Sequence, residues 1–128
     1  MTVEKNNKHI DTGNKGELAA KNYLLEEGYT ILETNWRYSR AEVDIIAKDK
    51  EDIVFVEVKT RSTDFFERPE EAVTPKKQAL LASAAEEYLY QLDEEVSCRF
   101  DVIAIIWNDK EPAIHHITDA FYPFTTFD

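Results

Sequence analysis

The chain has 128 residues, enough for one domain with a single substantial core. Its 43% hydrophobic and 32% charged residues fit a soluble globular protein rather than a disordered one, and no apolar run approaches the roughly 20 residues of a membrane-spanning helix. A formal charge of −11 argues against an evenly basic nucleic-acid binder, although a local basic face remains compatible with it.

Met1 to Thr12 is polar and expected to fray, and it lacks the apolar centre of a signal peptide. Asn14 to Glu27 has Ala19, Ala20, Tyr23, Leu24 and Leu25 at helical spacing, with Gly28 as the stop. Tyr29 to Trp36 is a short strand, Arg37 to Arg40 a polar link, and Ala41 to Lys48 a second strand expected to face Val43, Ile45 and Ala47 one way. The charged turn Asp49-Lys50-Glu51-Asp52 leads into a third strand, Ile53 to Arg61. Ser62 to Val73 is irregular. Thr74-Pro75 starts a helix to about Leu92, the hydroxyl capping and the proline filling the first turn. Cys98 to Trp107 is an apolar strand, and Ala113 to Thr118 an edge strand, followed by an aromatic tail. The order α-β-β-β-α-β-β predicts an α/β fold with a mixed sheet covered by helices. Cys98 is the single cysteine, so an intrachain disulfide is excluded and a reducing cytoplasm is the expected compartment. No Cys/His cluster points to structural zinc.

The third strand carries the chemistry. Val54, Val56 and Val58 share one face, while Ile53, Phe55, Glu57, Lys59 and Arg61 share the other, which turns from apolar to ionic halfway. Pairing Lys48 with Ile53 across the turn puts Ile46 opposite Phe55, Asp44 opposite Glu57 and Glu42 opposite Lys59. Two facing carboxylates repel unless a cation lies between them. Hard oxygen ligands suit Mg²⁺ or Mn²⁺, and a nearby lysine can steady an oxygen of a reacting phosphate. Spacing alone fits equally a solvated ion-pair patch in which Glu42 meets Lys59. Glu17 is a third acid, readable as the partner of Asn14 in a capping box or as leaning toward the sheet.

Other residues divide between contact and structure. Arg37 and Arg40, near Trp36 and Tyr38, are candidates to grip a nucleic-acid backbone, and Arg61 adds charge at the strand end. Lys76, Lys77 and Gln78 open the second helix as phosphate contacts or as a solvated first turn. Asp101, inside an apolar strand, fits a structural hydrogen-bonding role better than a catalytic one. His115 and His116 point to opposite faces and make a poor metal pair.

Gly16-Glu17-Leu18-Ala19-Ala20, Gly28-Tyr29-Thr30-Ile31-Leu32, Asn35-Trp36-Arg37, Glu42-Val43-Asp44-Ile45-Ile46-Ala47 and Val54-Phe55-Val56-Glu57-Val58-Lys59-Thr60-Arg61 follow one another along the chain. Glu71 to Gln78, Cys98 to Val102 and Asp119-Ala120-Phe121 complete the set. In these segments the sequence resembles the YraN family of small bacterial proteins, assigned to the restriction endonuclease-like fold and similar to archaeal Holliday junction resolvases. The resemblance implies an endonuclease-like core over residues 13–122, between a flexible N-terminus at 1–12 and a tail at 123–128. It puts Asp44, Glu57 and Lys59 in the family's Asp…Glu-x-Lys positions, with the Val58 backbone carbonyl and Glu17 joining a Mg²⁺ or Mn²⁺ shell. The implied activity is phosphodiester hydrolysis in DNA, branched or damaged forms included, with no nucleotide cofactor and no membrane partner. The alternative is an inactive nucleic-acid-binding or protein-interaction module on the same fold, its aromatic tail a candidate contact for a homodimer. Ala41 departs from the pattern by replacing a glycine before Glu42, which removes no ligand.

Overall fold

Apolar side chains on both faces of a strand require cover on both sides. The structure, a computed structural model, describes residues 2–61, 73–107 and 111–123, with side chains from Asn14 onward. Strands β1 (Thr30–Tyr38), β2 (Ala41–Asp49), β3 (Asp52–Arg61), β4 (Cys98–Ile106) and β5 (Ala113–Phe121) form one sheet in that spatial order. Neighbours are antiparallel except β3 and β4, which are parallel. Helix α1 (Thr2–Glu26) precedes the sheet, and α2 (Pro75–Leu92) lies in the connection between the parallel pair. The element order matches the expected α-β-β-β-α-β-β.

Alternation along β3 sorts the core into two layers. Ile53 and Phe55 pack with Leu81, Ala84, Ala85 and Tyr88 of α2, together with Phe100 and Val102. Val54 and Val56 pack with Ala20 and Leu24 of α1, together with Ile103 and Ile105. Thr74 caps α2 through a 3.2 Å bond from the Lys77 N–H, and Asp93 closes it in the left-handed region. Gly28, at φ 93°, ends α1 as expected.

Three boundaries differ from the sequence expectation by two residues or more. Helix α1 begins at Thr2 rather than Asn14, so its backbone runs through the segment expected to fray. Strand β1 continues through Arg37 and Tyr38, and Ser39, at φ 58°, takes the turn instead. β5 runs to Phe121, whose buried ring stacks on Phe100 at 5.3 Å. The irregular stretch from Ser62 and the end of the aromatic tail fall largely outside the described residues. Among the described residues no helix is long and apolar enough to cross a membrane.

A fourth difference builds the site. Val43, Ile45 and Ala47 do not share a face: Val43 enters the α2 layer, while Ile45 and Ala47 enter the α1 layer. The alternation changes phase at Asp44. Across the hairpin, Asn35 lies between the Thr34–Ile45 and Trp36–Val43 pairs with φ 51°, a left-handed conformation that asparagine tolerates better than most residues. Strand twist carries the far end of the hairpin over α2, where Trp36 meets Tyr88 edge-to-face at 5.2 Å. Ala41 is buried there as well, so its methyl group serves as packing.

Candidate active site

The β2–β3 ladder follows the expected register, with Lys48 opposite Ile53 and Ile46 opposite Phe55. It ends at Ile45 opposite Val56, one pair before the two acids would face each other. Beyond that point the strands diverge into a fork. Asp44 takes over there: its Oδ2 accepts the Val58 N–H at 2.8 Å, satisfying a donor that the ladder has left behind. In an extended strand the N–H and C=O of one residue point the same way. The Val58 carbonyl therefore also faces the fork, while its side chain packs toward α1.

Glu57 forms the other wall. Its side chain is only 6% exposed, Oε1 is buried without a hydrogen-bond partner, and Oε2 lies 3.6 Å from Lys59 Nζ and 3.5 Å from Lys77 Nζ. Burial pushes the Asp44 carboxyl pKa up to about 7, with help from the Glu57 and Glu17 charges and against the Val58 hydrogen bond and Lys77. The fork therefore resists carrying a second full negative charge unless a further cation offsets it.

Glu17 approaches from α1. Gly16 is the reason it can: a Cβ there would collide with the Thr60 hydroxyl, so only glycine lets the helix press this closely on β3. Asn14 and Glu17 both lie inside a helix that starts at Thr2, which overturns the capping-box reading. Instead, Glu17 Oε1 accepts from Asn35 Nδ2 at 3.0 Å, linking the helix to the left-handed residue of β1. Asn35 escaped sequence reasoning, although its tolerance of positive φ was a usable signal.

The remaining predicted residues separate. Glu42 does not meet Lys59; it pairs across the hairpin with Arg37, Oε2 to Nε 3.5 Å, because β2 has already left β3. Arg37, 77% exposed, lies near the end of β1 and Arg40 in the β1–β2 turn, and Arg61 closes β3 with Nη1 donating to the Thr60 carbonyl. Lys76 is exposed on α2. Gln78 turns its Nε2 to the Val73 carbonyl at 3.0 Å, so its amide supports the helix start. Lys77, expected at phosphate or in a solvated first turn, reaches Glu57, a position too distant in sequence to pair by pattern.

A second polar centre lies apart from the fork. Fully buried Asp101 accepts from Arg99 Nε at 3.0 Å and the Asp119 N–H at 2.9 Å, and lies 2.7 Å from His116 Nε2. Burial raises its pKa, but these hydrogen bonds outweigh burial and leave the carboxyl below its ordinary value. His116 Nδ1 meets the Tyr23 hydroxyl at 3.0 Å, while Arg99 also binds Asp49 and Tyr29. Every Asp101 oxygen is thus engaged in joining elements, in keeping with the structural role expected of it.

Two carboxylates and a carbonyl are a fitting oxygen set for a hard divalent cation, and Glu57 Oε1 has a vacant acceptor to offer. Among the described residues no three Asp, Glu, His or Cys side chains form a ready-made metal cluster.

A family model described as "Uncharacterised protein family UPF0102" matches residues 16–105, from the glycine that seats α1 to the end of β4. The chain belongs to the UPF0102 family. This is the YraN family of the sequence resemblance. A UPF0102 protein of Flavobacterium psychrophilum is 46% identical over 116 residues, covering 91% of this chain and 98% of the relative. One from Christiangramia forsetii is 47% identical with the same two coverages, and one from Prosthecochloris aestuarii is 48% identical, covering 88% and 94%. The UPF0102 match contains every residue of the fork.

Proposed function

We propose that this UPF0102 protein is a divalent-metal-dependent nuclease that hydrolyses phosphodiester bonds in DNA. The observation that carries the reading is Glu57: a buried carboxylate with an orphaned oxygen, set beside an Asp44 carboxyl crowded up to about 7. Leaving such groups uncompensated is costly, and functional sites are where such perturbations gather. Asp44, Glu57 and the Val58 carbonyl would hold Mg²⁺ or Mn²⁺, with Glu17 behind them. The bound ion would polarise phosphate and lower the pKa of a water nucleophile.

The chain's own residues supply the rest. Asp44 is kept in place by the Val58 N–H, so the fork is preorganised rather than assembled on demand. Lys59 projects its ammonium from the same strand face as Glu57, where it offsets charge growing on the phosphate oxygens. Arg37 and Arg40 at the β1–β2 hairpin, Arg61 at the end of β3 and Lys76 in the first turn of α2 are the cations we assign to the DNA backbone. These cations would position DNA phosphates in spite of the net charge of −11.

Purified protein incubated with single-stranded, duplex, nicked and four-way-junction DNA tests the proposal. Cleavage in Mn²⁺ or Mg²⁺ that disappears with EDTA and in Glu57→Gln is the expected result. No cleavage of any of these substrates in either metal would refute it. Salt-sensitive DNA binding without turnover, unaffected by Glu57→Gln, would point to the binding-module alternative.

A further inference from the structure

Lys77 enters the fork from a place that its helix does not favour. The first turn of α2 contains no acidic residue and carries Lys76 and Lys77, although cations there oppose the helix dipole. Two hydrogen bonds fix the turn, from the Lys77 N–H to the Thr74 hydroxyl and from Gln78 Nε2 to the Val73 carbonyl. Lys77 Nζ then reaches Glu57 Oε2, the oxygen that Lys59 already approaches. Two ammonium groups crowd one oxygen while Oε1 has none. The Lys77 charge also acts on Asp44, so a single side chain compensates both walls of the fork. Of the two lysines it is the more exposed, 38% against 26%, and so the one with a path outward.

We propose that Lys77 is a displaceable counter-ion: it holds Glu57 in the metal-free protein, competes with the divalent cation for that carboxylate, and turns outward toward the substrate phosphate when the cation binds. This rests on the proposed metal site and adds its regulation. Charge on Lys77 disfavours a second cation beside Glu57, and by linkage whatever the lysine stabilises the metal must displace. A residue that only contacts phosphate would leave metal affinity unchanged in the absence of DNA.

Calorimetric titration of the full chain with MnCl₂, without nucleic acid, separates these cases. Lys77→Met is expected to lower the Mn²⁺ Kd by about fivefold or more, since it removes both the competitor and its repulsion. Lys77→Arg, which keeps the charge, is expected to bind Mn²⁺ like the wild type. Lys77→Gln repeats the neutral substitution with a polar side chain, and thermal melts verify that each variant is folded. Unchanged or weaker Mn²⁺ binding in both neutral variants would overturn the counter-ion role while leaving the metal site standing. No Mn²⁺ binding by the wild type and all variants would overturn the metal site and this role together.

Discussion

Replacing Asp44 by asparagine should make the metal-free protein more stable at neutral and alkaline pH. The Asp44 carboxyl is raised from 3.8 to about 7, chiefly by burial and then by Glu57. Between those values the native state binds more protons than the unfolded chain, so stability falls as pH rises through the window and is lowest above it. At about 1.4 kcal/mol per pKa unit, the full shift is worth about 4 kcal/mol. Repulsion from the Glu57 charge supplies part of that shift, and an asparagine still buries a polar side chain there, which reduces the expected gain to about 1–2 kcal/mol. The asparagine oxygen can still accept the Val58 N–H, so the fork keeps its shape. Melting curves in EDTA from pH 4 to 9 provide the assay. Asp44→Asn should match the wild type near pH 4 and exceed its Tm by about 3–8 °C at pH 8. With saturating Mg²⁺ the wild type should recover that difference, because a ligand that binds the native state stabilises it. A variant no more stable than wild type at pH 8, or a difference independent of pH, would refute the electrostatic account of the fork.

Gly16→Ala should destabilise the protein by about 1–3 kcal/mol through overpacking against Thr60, and Thr60→Ala in the same chain should restore much of the loss in chemical denaturation. Asp101→Ala should cost about 3–5 kcal/mol in urea unfolding, because it strands the partly buried Arg99 and His116 partners. Since the Asp101 carboxyl lies below its ordinary value, its stabilisation is complete above that value and fades as pH falls, so the gap between variant and wild type should narrow in acid. Thr74→Ala should cost about 1 kcal/mol by thermal melt through loss of the α2 cap.

The parts of the fold legible in sequence were those governed by local pattern. The Asp49–Asp52 turn set the register from Lys48–Ile53 onward, and the change from apolar to ionic side chains in β3 pointed to Glu57 and Lys59. Thr74-Pro75 marked the start of α2 for the same local reason. What escaped depended on distant contacts. Val43, Ile45 and Ala47 have a perfect period of two, and only the sweep of the hairpin over α2 places Val43 on the opposite layer. That same sweep ends the ladder before Asp44 and sends Glu42 to Arg37 rather than Lys59. Lys77 and Asn35 entered the site through tertiary placement of a helix turn and a left-handed strand residue, neither of which has a periodic signature.

Among the contacts that fasten helix α1 to the sheet are Gly16 against Thr60 and Tyr23 against His116. These anchors are about two helical turns apart and so lie on the same side of the helix. Such a helix tolerates changed side chains far better than changed length. One residue inserted between the anchors would rotate everything before it by about 100°, swinging Glu17 away from the fork and bringing a side chain where only glycine fits. The segment between Gly16 and Tyr23 thus acts as a ruler, and its spacing, more than its composition, sets where the first helix delivers its acid.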